Sequence, residues 1–154
     1  MKELRRKDRE IPNDEALSIL SSAEYGVLST SSPGGIPYGV PLSFCLIDGS
    51  IYFHCAMEGR KIENIENNST VSFCVVGATE VLPSKFGTKY ESTIVSGVAT
   101  EVFEEVKQKA LESLVMKYSS DFIERGAKYI DALTHKTRVF KIVPDHISGK
   151  SRKE

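Results

Sequence analysis

The chain contains no tryptophan and only three cysteines among its 154 residues. Cys45, Cys55 and Cys74 are odd in number, far apart and set in apolar runs, which excludes a disulfide framework and suits buried free thiols in a reducing cytoplasm. They lack the close pairing of a zinc site, and His135 and His146 have no ligand-spaced neighbours, so no metal is expected. An excess of one charge is missing too: 20 basic residues face 21 acidic ones, and no global field invites nucleic acid or a membrane surface. Nowhere does the apolar run of about 18 residues that spans a bilayer occur, and the basic N-terminus is not followed by the apolar stretch of about 7 to 15 residues that marks a secretory signal. A cytoplasmic protein is expected. Its length folds most simply as a single domain over residues 1–154, able to remove about 70% of its unfolded surface from water.

What is present reads mainly as strands. Residues 1–10 mix five cations with acids and form a solvated arm, although such an arm can also lie over a phosphate or a neighbouring subunit. Asn13, followed by acids, predicts a helix start and a short helix over 14–23. Residues 25–30 and 36–47 are strand-like around the turn cluster at 31–35, which predicts a hairpin. Pro37 and Pro41 interrupt the second of these runs; proline donates nothing to a ladder, so this strand is an edge, a bulge or a surface facing something flat. The Asp48-Gly49 turn leads into a strand over 51–56, and 59–68 reads as a short helix. A strand over 70–76, a loop over 78–89 and a long strand over 90–103 bent near Gly97 follow. Helices are predicted at 104–118 and 121–133, then a final strand at 137–143 and a polar tail at 148–154. About six strands in hairpin order with a few helices predict an α+β, mostly β architecture, an antiparallel barrel or strongly curled sheet.

Arg60 and Lys61 stand where a strand gives way to a helix. Cations at a helix N-terminus oppose its dipole by roughly 0.3–1 kcal/mol, so a nearby anion would explain them, with Glu58 as one local source of compensation. Spacing alone leaves phosphate binding and a solvated helix end equal. His54 shares a strand face with Tyr52 and Ala56, opposite Ile51, Phe53 and Cys55, and reads either as a half-buried histidine with a backbone partner or as a group lying over a cofactor.

The ordered segments 5–10 (RRKDRE), 37–44 (PYGVPLSF), 51–56 (IYFHCA), 58–61 (EGRK) and 90–97 (YESTIVSG), with Gly149 and Lys150, resemble the 5-nitroimidazole-resistance branch of the pyridoxamine 5′-phosphate oxidase-related flavoproteins over essentially the whole chain. The resemblance implies a six-stranded antiparallel split β-barrel with short flanking helices, assembled as a homodimer with FMN at each subunit interface. It places Arg60 and Lys61 on the FMN phosphate, and Tyr38, Gly39, Val40, Pro41, Leu42 and Ser43 with Phe53 and His54 along the flavin, while Ser92 reaches in from the other subunit. Neighbouring strand residues point to opposite faces, so one of Phe53 and His54 is expected to offer mainly backbone. The oxidase itself ends in a strand bearing arginine and tryptophan, whereas residues 140–148 here read FKIVPDHIS; oxidation of pyridoxamine phosphate is therefore not expected. The implied activity is reductive, with electrons passing from a reduced donor through FMN to a small acceptor such as a nitroaromatic and His54 in the active-site position. The alternative is a non-catalytic flavin- or heme-binding protein for storage or sensing.

Overall fold

The computed structural model describes residues 3–154 and gathers eight strands into one antiparallel sheet. Strand β1 (Glu10–Ile11) precedes helix α1 (Asn13–Ser22), and β2 (Gly26–Ser31), β3 (Pro37–Leu42), β4 (Cys45–Ile47) and β5 (Ser50–Cys55) follow. Helix α2 (Arg60–Asn67) separates these from β6 (Thr70–Leu82) and β7 (Gly87–Val102); α3 (Glu104–Tyr118) and α4 (Ile123–Leu133) lead to β8 (Arg138–Arg152). The sheet order is β3-β2-β6-β7-β8-β5-β4, with β1 added to β8. This is the expected split barrel with more strands than the six read from sequence.

The edge strands β3 and β4 are consecutive in the chain, joined by Ser43 and Phe44 alone. That link spans at most about 10 Å, so the two edges of the sheet must curl toward each other. The proline-bearing run at 36–47 is thus two strands on opposite edges, and Pro37 and Pro41 sit on an edge strand, where the missing N–H groups cost least. At the seam Phe44 is fully buried and meets Phe73 edge-on, with ring centroids 4.9 Å apart. Its backbone N–H donates to Tyr118 Oη at 3.1 Å, and its carbonyl accepts from Lys117 Nζ at 2.9 Å. The last turn of α3 therefore supplies the bonds that a neighbouring strand would otherwise make.

Two apolar layers result. Phe53, Phe73, Phe140, Ile51, Ile142 and Leu28 fill the barrel, closed by Ile19 and Leu20 from α1 and by Ile62 and Ile65 from α2. On the outer face of β4 and β5, Cys45 and Tyr52 pack under Ala110, Leu111, Leu114 and Ile130 of α3 and α4. Buried polar groups tie the helices down: Asn64 donates to Thr30 Oγ1 at 2.9 Å, and Thr93 to the Ala16 carbonyl at 2.8 Å. All three cysteines are free, and burial pushes the Cys45 thiol up to about 11.

Several boundaries differ from the sequence reading. The loop expected at 78–89 is mostly ladder, because β6 and β7 pair through to Leu82 and Gly87. The polar tail belongs to β8, whose residues pair with β7 as far as Arg152. Asn13 is the first residue of α1 rather than its cap. In the N-terminal arm, where Met1 and Lys2 lie outside the described residues, Lys7–Arg9 forms a tight turn and Glu10 pairs with Lys150. At the bend expected near Gly97 the irregularity lies in the partner strand: Ser96 faces His146 and Gly97 faces Pro144, leaving Asp145 of β8 as the extra residue, and a Cβ on Gly97 would stand 2.3 Å from the Val143 carbonyl oxygen.

Arg138 fastens this frame to α2. Its guanidinium donates to both oxygens of Glu101, at 2.9 and 2.7 Å, to Glu66 Oε1 at 3.0 Å and to the Met57 carbonyl at 3.3 Å. The hydrogen bonds from Arg138 hold the Glu101 carboxyl below its ordinary pKa. A depressed carboxyl stabilises the fold above the unfolded-state value and loses that contribution as pH falls through the folded one. Glu101→Gln is accordingly expected to cost roughly 1–2 kcal/mol at neutral pH, with the deficit relative to the parent closing in acid; urea titrations at both conditions test this. At the seam, Tyr118→Phe leaves the Phe44 N–H without its acceptor and should lower stability by about 1–2 kcal/mol in the same assay.

Candidate functional site

Strand β5 points His54 outward, beside the groove under α3 and α4, while Phe53 turns into the barrel and stacks on Phe140 at 5.6 Å. Of the pair expected along a ligand, only His54 presents its side chain, as strand alternation requires. The His54 side chain makes no hydrogen bond among the described residues, so the backbone partner considered from sequence is not there. Its ring keeps exposed surface, yet the protein around it lowers its pKa by desolvation, and the charge of Lys61 pushes the same way. Both effects favour the neutral imidazole at pH 7.

The turn before α2 explains how Arg60 and Lys61 are presented. Gly59 has φ 147°, a conformation costly for any side chain, and no side chain caps the helix. Its carbonyl accepts from the N–H groups of Ile62 and Glu63, leaving the earlier amides at the open end. Arg60 lies over the Tyr38 ring at 5.1 Å, and neither Arg60 nor Lys61 has an ion-pair partner among the described residues. Glu58 pairs with neither, so the compensation expected from it is not made. Two uncompensated cations beside free amides, with no Cβ on Gly59 to obstruct them, form a donor set that fits a phosphate.

Along β3 the side chains divide. Pro41 and Ser43 face outward with Gly39 between strand neighbours, whereas Val40 and Leu42 pack against the barrel core and can offer a ligand only backbone. Tyr38 shares their half-buried face and supports Arg60. The fold thus brings Tyr38, Ser43, His54, Arg60 and Lys61 to one side of the barrel. It does not bring Ser92 there: Val102 is the β7 residue level with His54, both pairing with Val139, and Ser92 lies ten residues back along β7, which is roughly 30 Å at about 3.3 Å per residue.

Sequence reasoning missed the groove wall contributed by α3, α4 and the turn between them, which includes Tyr118, Phe122, Arg125 and Tyr129. Aromatics at 122 and 129, seven residues and so about two turns apart in the helix predicted at 121–133, were the available signal. Among the described residues no group of histidine, cysteine and acidic side chains could hold a metal, and no helix is long and apolar enough to cross a membrane.

Comparison with known proteins places these features. No curated protein sequence matches. Among solved structures, a candidate 5-nitroimidazole antibiotic resistance protein from Bacteroides thetaiotaomicron is 24% identical, with 92% of this chain and 85% of that one covered and a TM-score of 0.79. An FAD-binding protein from Mesorhizobium loti is 24% identical over 94% of this chain and 98% of its own, with a TM-score of 0.66. The flavocytochrome Anf3 from Azotobacter vinelandii is 20% identical over 99% of this chain and 73% of its own, with a TM-score of 0.80. At these identities the likeness establishes the fold. The model of the pyridoxamine 5′-phosphate oxidase family matches residues 12–151, nearly the whole split barrel, and the chain belongs to that family.

Proposed function

We propose that the protein is an FMN-dependent oxidoreductase that passes electrons from a reduced donor to a small acceptor such as a nitroaromatic, and that it works as a homodimer in the cytoplasm. The observation that carries this reading is the unpaired Arg60 and Lys61 at the open end of α2, on the same side of the barrel as Ser43 and His54. Bound FMN would supply the redox chemistry. Arg60 and Lys61 hold its phosphate, Tyr38 and the β3 backbone run beside it, and Phe53 contributes main chain only. His54, neutral at pH 7, orients a ligand by hydrogen bonding without bringing a charge. Ser92 serves the site of a second copy, since within its own chain it stands too far along β7. The exposed Val76 and Ile94 beside it on the sheet surface support such an interface.

The absorbance spectrum of the purified protein tests the cofactor: flavin bands, as isolated or after incubation with FMN, are expected, and a colourless protein that gains none would sink the reading. The double substitution Arg60→Ala with Lys61→Ala is expected to weaken FMN binding by about 100-fold while leaving riboflavin within a few-fold, since two charged hydrogen-bonding groups act on the phosphate alone. Equal losses for the two ligands, measured by fluorescence titration, would remove Arg60 and Lys61 from that role.

A further inference from the structure

A groove of about 730 Å³ runs from Ser43 and His54 to α4, floored by Leu114 and Val115. Its aromatic wall is Tyr118, Phe122 and Tyr129, and Phe122 and Tyr129 are more than half exposed. Large aromatic side chains left open along a concave surface offer faces for stacking a flat ring. The rim carries Arg125 and Lys128, whereas no acidic side chain lines the groove. Neither cation forms an ion pair among the described residues; Arg125 instead lies over the Phe122 ring at 5.5 Å. Arg125 and Tyr129 stand four residues apart on one face of α4, and Phe122, the residue just before that helix, is brought to the same stripe by its contact with Arg125, so ring faces and the guanidinium are presented together.

We propose that this groove binds a planar aromatic carboxylate, its ring lying among Phe122, Tyr118 and Tyr129 toward His54 and its carboxylate held at the rim by Arg125 and Lys128. The apolar walls select a ring, and the two cations, with no acid opposite them, select an anion. A planar guanidinium matches a carboxylate through two parallel hydrogen bonds. The assignment rests on the flavoprotein reading in that it names the class of acceptor for the same site. The cations are exposed, so they add selectivity more than affinity.

The test is calorimetric titration of the FMN-incubated protein with 4-nitrobenzoate and with its neutral counterpart 4-nitrobenzamide, the flavin spectrum being recorded on the same samples. The parent protein is expected to bind the carboxylate about tenfold more tightly, a margin within reach of charge-assisted hydrogen bonds at a rim. Arg125→Gln with Lys128→Gln should erase that preference by lowering the carboxylate affinity to that of the amide, the amide still binding within a few-fold of its parent affinity, which also reports an intact groove. Equal affinity for the two probes, no binding of either, or a preference that survives the double substitution would overturn the assignment. A preference found in protein that takes up no flavin supports the groove while refuting the flavin reading; flavin uptake without a preference refutes the groove alone.

Discussion

The two-residue link between β3 and β4 governs the architecture. Ser43 and Phe44 connect opposite edges of a sheet whose other strands lie between them, and so short a span obliges the whole sheet to curl. The strands cannot pair across the seam at Phe44, so its backbone is satisfied by Lys117 and Tyr118 from α3. This draws the end of α3 against the seam and, with it, α4. The groove beside His54 is a consequence of closing the barrel with a helix rather than with a strand.

A second constraint acts at α2. Ile62, Ile65 and Asn64 are committed to the barrel interior, which fixes the helix and aims its N-terminus outward. Burial of each isoleucine contributes about 1.5–3 kcal/mol, more than the roughly 0.3–1 kcal/mol by which a cation at the wrong end of the helix dipole opposes folding. Arg60 and Lys61 can thus be held unpaired, and Arg138 reinforces the arrangement by binding Met57, Glu66 and Glu101 together.

Local chemistry made a good part of this legible. The hairpin turn at Asp48 and Gly49 has positive φ at both residues, as its composition requires; the helix at 104–118 follows its apolar spacing; and the prolines mark an edge. The extent of β6, β7 and β8 was not legible, because polar residues such as those of 148–152 are held in strand by ladder bonds to a partner about 60 residues away rather than by their own propensity. Alternation correctly separated His54 from Phe53, but Tyr52, on the His54 face, is buried because α3 and α4 cover it. No periodicity within a strand reports what a distant helix will cover.

By itself the sequence determined the strand-rich class, the position of the phosphate-suited cations and the family resemblance, since these rest on residue type and order along a few consecutive positions. Only the tertiary structure decided that Glu58 leaves Arg60 and Lys61 unpaired, that Val40 and Leu42 turn inward, that Ser92 lies far along β7, and that Phe122, Arg125 and Tyr129 face His54 across a groove. Those outcomes depend on distances between segments far apart in the chain, which the closure of the sheet sets and no local pattern encodes.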